Sequence, residues 1–463
     1  MSAMNTLKKF GLEQAFNYVY KDPDKNFIKI MDWADKFSGG GFPTQRAMIR
    51  EAISNPEHPY YPFIHRLVTD IDPHVMKTLV ANFFINANLA GWKKQDECRE
   101  KYGCNIPWAI LLDPTSACNL HCTGCWAAEY GNKLNLTYDE IDDIIRQGKE
   151  LGVYMYIYTG GEPLVRKKDL IRLCEKHNDC IFLSFTNATL IDEDFANDML
   201  RVGNFVPAIS LEGFETATDG RRGNGVYQKV IKAINLLREK KLVFGISACY
   251  TSANFESITS EAFYDSLIDL GAYFIWYFHY MPVGNDAAPD LLPTKEQREY
   301  MYHRVREIRG ATGGKPIYAM DFQNDGEFVG GCIAGGRNYC HINANGDVEP
   351  CVFIHYSSAN IREVTLLEAL KQPLFMAYRD RQPFNSNHLR PCPMLENPEI
   401  LQEMIKETGA KSTDLQSPES AEHLCSKCKA YACEWKKTAD QLWKEHPHQQ
   451  KGYTNYKKRV EKQ

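Results

Sequence analysis

Nowhere in the 463 residues is there a run of eighteen or more apolar positions, so the chain lacks the hydrocarbon contact length that a membrane-spanning helix needs. The most apolar helical stretch, residues 75–92, is broken by Lys77, Asn82, Asn86 and Asn88. Residues 1–10 carry lysines but no apolar core ahead of a small-residue cleavage site, which is not the pattern of a secretory signal. Positive charge is not in excess either: 54 Lys and Arg stand against 59 Asp and Glu, a net charge of -5. Phosphate backbones call for a concentrated basic surface, so no nucleic-acid partner is expected. Residues 1–105 hold neither a Gly-rich phosphate loop nor an internal repeat. Together these absences place the expected protein in the cytoplasm.

Cysteine, by contrast, is plentiful, with 15 residues. In a reducing compartment a disulfide framework is not expected, and clustered thiols point to metal binding or catalysis. Oxygen-sensitive iron–sulfur chemistry would suit an anaerobe. A chain of 463 residues also exceeds what one hydrophobic core usually supports, so one large domain with appendages, or two to three domains, is expected.

The periodicity divides the chain into four parts. Residues 1–105 read as an N-terminal helical cap, with amphipathic stretches at 24–37, 44–54 and 74–91, a glycine-rich break at 39–43 and a proline-rich turn at 56–62. From Trp108 the pattern becomes short apolar runs separated by helical segments, the mark of βα units on a parallel sheet. Strands are expected at 108–112, 154–158, 180–186, 205–211, 242–250 and 273–281, and a helix at 137–151 opens with Thr137 and Glu140 as a capping box. Six strands fit an α/β fold with a partial (β/α)6 barrel across 106–320. Residues 321–440 read as a cysteine-rich module of low regular structure held by metal, and 441–463 as a charged tail.

In such barrels the reactive residues sit on loops after the strands. Here the first loop holds Cys118, Cys122 and Cys125 in a C-x3-C-x2-C spacing; Thr159-Gly160-Gly161-Glu162-Pro163 follows the second strand, and Ser210-Leu211-Glu212-Gly213 ends the fourth. Three thiolates leave one position of a four-coordinate site without a ligand. A zinc site would want a fourth Cys or His nearby, and His121 lies pinched between two of the thiols. Glycines at 160 and 161 would let backbone approach a ligand without a Cβ clash, and Glu162 can pair with an amine. Ser247, Thr251, Asn254 and His279 are further polar residues on this rim.

Ala117 to Cys125 directly after a first strand, with Thr159-Gly160-Gly161-Glu162-Pro163-Leu164 after the second, resembles the radical S-adenosylmethionine family. The resemblance implies a four-iron four-sulfur cluster on Cys118, Cys122 and Cys125, its fourth iron chelated by S-adenosylmethionine. It implies cofactor contacts from Gly160, Gly161 and Glu162, ribose contacts from Ser210 and Glu212, and a carboxylate contact from Arg222, with Arg221 competing for that place. Many members carry an aromatic residue before the third cysteine, whereas this chain has Gly124 there and Trp126 after it. Cys332, then thirteen residues to Gly346 and four more to Cys351, resembles the opening of the SPASM extension, and Cys425-x2-Cys428-x4-Cys433 its later half. That resemblance implies one or two auxiliary four-iron clusters drawn from Cys332, Cys340, Cys351, Cys392, Cys425, Cys428 and Cys433, with zinc as the alternative at Cys425–Cys433. Cys98, Cys104, Cys174, Cys180 and Cys249 read as ordinary buried thiols.

The expected activity is reductive cleavage of S-adenosylmethionine to a 5′-deoxyadenosyl radical that abstracts hydrogen from a substrate, first of all a peptide or protein, with a flavodoxin or ferredoxin as reductant. Radical modification or coupling of a lipid or isoprenoid is a second reading, since the aromatic run 273–278 and the helix at 74–91 could line an apolar pocket. A non-catalytic electron carrier or metal-held scaffold is a third. The substrate and any residue acting directly on it are not named by the sequence.

Overall fold

The computed structural model describes residues 11, 14–37, 43–310 and 313–445. Residues 1–10, the glycine-rich stretch 39–42 and the tail beyond 445 lie outside the described residues. Among the described residues no helix is long and apolar enough to cross a membrane.

The short apolar runs form β1 (Ala109–Leu112), β2 (Met155–Tyr158), β3 (Ile181–Thr186), β4 (Phe205–Ser210), β5 (Gly245–Tyr250) and β6 (Phe274–His279). Each pairs in parallel with the next, and helices between them bury the outer face, which is why these strands read as near-continuous apolar runs. The helix Tyr138–Glu150 begins with the expected capping box, Thr137 and Glu140 each accepting from the other's backbone N–H.

The sheet does not stop at six strands. β7 (Tyr318–Asp321) pairs in parallel with β6, β8 (Tyr339–Ile342) pairs in parallel with β1, and β9 (Val348–Glu349) runs antiparallel to β8. The order is therefore β7-β6-β5-β4-β3-β2-β1-β8-β9. Two of the added strands, β7 and β8, are four residues long, and β8 carries Cys340 and His341, residue types that read as metal ligands rather than strand. A two-stranded pair, β10 (Tyr356–Ser357) and β11 (Lys411–Ser412), lies apart from this sheet. The later cysteines also sit on more regular structure than expected: Cys425, Cys428 and Cys433 lie on one helix, Ala421–Glu445. Its Trp435 is fully buried, donates from Nε1 to the Leu389 carbonyl at 2.9 Å and lies under the Arg298 guanidinium at 4.2 Å.

The N-terminal segment is helical, as Pro23–Phe37, Pro43–Ser54, Tyr61–Thr69 and a longer run from Pro73–Val80 through a π-helical stretch, Ala81–Gly91, to Trp92–Tyr102. Asn82 and Asn86, which break the apolar run, are buried and donate to the carbonyls of Asn178, Asp179 and Cys180 just ahead of β3. These side chains help satisfy the buried carbonyls of the loop, that of Cys180 together with the Asn204 amide.

Beneath the rim, a buried charge knot ties β1 to β8 and β9. His341 lies with Nδ1 2.6 Å from Glu349 and Nε2 2.9 Å from Asp113, all three out of solvent. The Asp113 contact is off the hydrogen-bond axis, so both its oxygens lack an aligned donor and the attraction there is mainly coulombic. Glu349 also accepts from Tyr130, Asn343 and Thr413. Burial pulls the His341 pKa down, but the two carboxylates outweigh it and push the value up to about 10 from 6.5. A raised folded-state value stabilises fully below the unfolded value and is lost as pH rises through the folded one. The melting temperature of the wild type should therefore exceed that of His341→Gln most below about pH 6.5, and the gap should close as pH climbs toward 10.

Candidate active site

β1 ends at Leu112, in register with Tyr158 of β2 and Ile342 of β8, so the loop it feeds emerges over the middle of the rim. A bridge between Thr115 and Asn135, with Ser116 and Leu134 bonded in both directions, closes the base of that loop. Cys118, Cys122 and Cys125 are free, partly exposed thiols lining one cavity of about 240 Å³. Burial raises the Cys118 thiol to about 11. It raises Cys122 too, against the pull of the nearby Arg222 guanidinium, whose Nη1 donates to Cys122 Sγ at 3.9 Å. Among the described residues no three His, Cys, Asp or Glu side chains converge to hold a single metal ion. Three thiols on one wall, with cations beside them to balance thiolate charge, form a donor set suited to an iron–sulfur cluster.

Gly160, Gly161 and Glu162 line the same cavity, yet the structure gives the glycines a more specific reason than approach to a ligand. A Cβ on Gly161 would stand 2.3 Å from the Ala117 carbonyl oxygen, and one on Gly160, whose φ is +100°, would stand 2.7 Å from that of Thr115. The Gly161 N–H donates to Thr115 and the Glu162 N–H to Ala117. The two glycines thus let the second loop lie backbone to backbone on the stem of the cysteine loop. Glu162 is buried and accepts from Leu164 N–H at 2.9 Å, Thr186 Oγ1 at 2.7 Å and Asn187 N–H at 2.7 Å. Burial still lifts its carboxyl above the ordinary value. An incoming amine would have to share oxygens that already hold the second and third loops together.

Ser210 reaches the cavity, but Glu212 does not line it. Fully buried, Glu212 takes Arg221 Nη1 at 2.7 Å and Arg222 Nε at 2.9 Å on one oxygen; its other oxygen takes the Cys249 N–H at 3.2 Å. Burial would raise this carboxyl, but the two guanidiniums together hold it below its usual range. Glu212 is therefore a clamp behind two arginines that face the cavity, where the sequence led us to expect a ribose contact. Arg222 has its Nε and one terminal nitrogen on Glu212 and turns the other toward Cys122.

Arg221, expected as a competitor for the place of Arg222, lines the cavity alongside it, and two residues here escaped the sequence reading. Cys249, read as a core thiol, lines it as well; in β5 it alternates with Ala248 and Tyr250 and shares a face with Ser247, so the period of two was the available clue. Tyr280 is the second. Gly124 has φ +64°, and a Cβ there would stand 2.5 Å from the Tyr280 hydroxyl. An aromatic ring from the end of the sixth strand thus fills the space beside the residue before the third cysteine. Of the other rim residues, Ser247 lines the cavity, whereas Thr251 and Asn254 bond to each other and to the backbone nearby. His279 lines it with both ring nitrogens engaged, by the Tyr280 carbonyl and the Tyr431 hydroxyl, each at 2.6 Å.

The later thiols separate into groups. Cys332, Cys351 and Cys392 line a second, larger cavity of about 850 Å³. It shares Trp276, Met281, Phe322, Ile333, Tyr339 and Phe353 with the first. Cys351 Sγ lies 2.8 Å from the Tyr339 hydroxyl, and Cys392 Sγ accepts from the N–H groups of Met394 and Leu395 at 3.4 Å. Cys340 lines neither cavity; it is buried in β8, where burial alone raises it to about 12. Cys425 and Cys428 are buried on the C-terminal helix and Cys433 is exposed, and none of the three lines either cavity.

Residues 112–256 match the family model of the radical SAM superfamily, and residues 332–393 match that of an iron-sulfur cluster-binding domain, SPASM. The chain thus carries a region similar to the radical SAM superfamily, followed by one similar to SPASM. The two domains imply four-iron four-sulfur clusters and S-adenosylmethionine, and radical SAM proteins of this kind are enzymes. The AdoMet-dependent heme synthase of Methanosarcina barkeri is 26% identical over 56% of this chain and 80% of its own. The PqqA peptide cyclase of Bradyrhizobium diazoefficiens is 26% identical over 56% of this chain and 70% of its own. Streptococcus suis SuiB bound to S-adenosylmethionine shares the fold, with a TM-score of 0.55 and 21% identity over 73% of this chain and 81% of that one.

For this radical SAM domain, Gly161→Ala should force apart the two loop backbones, at a cost of about 1–3 kcal/mol. Iron retained after anaerobic reconstitution and the melting temperature should both fall. Gly220→Ala, where an added Cβ meets nothing within 4 Å, should leave both unchanged.

Proposed function

We propose that this chain is a radical SAM enzyme that takes a hydrogen atom from a substrate held in the larger cavity, with Cys118, Cys122 and Cys125 carrying the reactive cluster. A single auxiliary cluster would sit on Cys332, Cys351 and Cys392. The observation that carries this reading is the shared wall: the cavity of the first three thiols and that of the second three meet at Trp276, Phe322 and Tyr339. When bound, the cluster and S-adenosylmethionine supply a 5′-deoxyadenosyl radical. The protein's own part is positional. Glu212 holds Arg221 and Arg222 at the cavity wall, where the guanidiniums can meet a carboxylate and offset thiolate charge. Glu162 fixes the second loop to the third, and Trp276 and Phe278 keep water from the space between.

Gly160, Gly161 and Ser210 are the proposed backbone and hydroxyl contacts to the cofactor, and a flavodoxin or ferredoxin the proposed reductant in a cytoplasmic setting. Two substrate classes remain in play. Similarity to a peptide cyclase supports a peptide. The apolar lining of the larger cavity, with Met320, Phe322, Phe328, Ile333 and Phe353 among its residues, favours the second class, a lipid-like or other apolar molecule.

Anaerobic reconstitution, reduction and a search for 5′-deoxyadenosine test the activity. Cys118→Ala/Cys122→Ala/Cys125→Ala should abolish the product while keeping the auxiliary iron. Cys332→Ala/Cys351→Ala/Cys392→Ala should lose about four irons per chain, one cluster's complement, and Cys340→Ala should lose none. A wild-type protein loaded with iron and cofactor that makes no 5′-deoxyadenosine would be an electron carrier or scaffold instead.

A further inference from the structure

Resting on the radical SAM reading of the neighbouring cavity, the larger chamber bears on what is modified. At about 850 Å³, of which the proposed cluster on Cys332, Cys351 and Cys392 would take a part, it falls in the range that encloses small-molecule ligands. Met48, Ile49, Phe84, Tyr318, Phe328 and Val329 line it and yet are exposed, Met48 at 64% and Phe84 at 53%. Exposed large apolar side chains normally occur singly, and their gathering around one opening marks an interaction site. They come from three separate parts of the chain: the N-terminal helices, β7, and the short helix Gly326–Val329 ahead of Cys332.

Two of the charged groups in the wall are matched from within, whereas Glu51, on the helix Pro43–Ser54, is an exposed carboxylate of the lining. Arg309, the guanidinium among the lining residues, is held by Asp325 through two hydrogen bonds of 2.8 and 2.7 Å. Asp321 accepts from the N–H groups of Gln323 and Asn324 and from the Asn324 side chain. A charged head group passing beyond Glu51 would have to break one of these sets of hydrogen bonds, in a part-buried ion pair at Arg309 and among buried groups at Asp321. An uncharged hydrocarbon or aromatic group would displace only water. From the opening, the chamber continues past Met320 and Phe322 to Trp276 and the cavity of Cys118, Cys122 and Cys125.

We propose that the chamber receives the uncharged hydrocarbon or fused-ring portion of a small-molecule substrate, entering between Met48, Phe84 and Val329 and presenting a C–H bond to the cofactor cavity across Trp276 and Phe322. The probe is N-phenyl-1-naphthylamine, a neutral dye that brightens in apolar surroundings, titrated into the full-length, cluster-loaded protein. Saturable binding to the wild type is expected, with displacement by a neutral long-chain alcohol such as dodecanol and not by an unrelated water-soluble peptide. Met48→Lys/Val329→Lys, which sets two charges at the opening, should weaken dye binding about tenfold or more, with circular dichroism and melting curve unchanged. Absence of saturable binding, equal binding by the lysine variant, or displacement by the peptide and not by dodecanol would each overturn the proposal. 5′-Deoxyadenosine formation by the wild type is measured in parallel. If it is made and the dye results fail, only the substrate class falls; if it is not made, the radical reading falls on its own account.

Discussion

β1 is hydrogen-bonded on both edges, to β2 on one side and β8 on the other, and the arrangement of the rim follows from that pairing. A strand with two parallel neighbours has its end fixed in three directions, so the loop it feeds cannot drift along the sheet. The cysteine loop is then pinned at its base by the Thr115–Asn135 bridge and from the side by the Gly160–Gly161 backbone. Because β8 comes from the residues that precede Cys351, the same pairing brings the second group of thiols to the neighbouring cavity. The His341 knot sits under this seam: a cation between two carboxylates out of solvent is costly to break once formed, so the domain carrying Cys118 and the domain carrying Cys351 are held as one body.

The electrostatics of the rim have a common pattern, in which a buried carboxylate is spent on organising other groups. Glu162 binds two loops, Glu212 aligns two arginines and Glu349 collects four donors. For Glu162 and Glu212 desolvation alone would favour the neutral acid, and it is opposed by fixed N–H and hydroxyl donors at the first and by guanidinium charge at the second. Cationic groups thereby lie close to thiols that must lose their protons when iron binds.

The parallel strands from Ala109 to His279 were legible in the sequence because each is a compact apolar run followed by a helix with its own caps, as at Thr137 and Glu140. The cysteine spacing and the Gly-Gly-Glu turn after the second strand were legible for a similar reason: their residue types have few uses in that order. β7 and β8 were not, since four residues give periodicity little room and Cys340 and His341 look like ligands. The division of the later thiols was hidden as well. Spacing along the chain groups Cys425, Cys428 and Cys433, but a helix holds them, and pairing of β8 with β1 takes Cys340 into the sheet. Glu212 and Arg222 were both expected to meet the cofactor, yet which of them faces the cavity depends on a buried ion pair that has no signature in sequence.

The meeting of Gly124 and Tyr280 carries an evolutionary implication. The ring fills the space that a side chain before the third cysteine would need, and the two positions lie on different loops, more than a hundred and fifty residues apart. Neither can change freely: a bulky residue at 124 collides with the tyrosine, and loss of the tyrosine leaves a void beside the cluster loop. Among homologues the two positions should therefore vary together, with glycine before the third cysteine accompanying an aromatic after the sixth strand. Where that pairing appears, it would mark a lineage that moved its aromatic wall from one side of the cavity to the other.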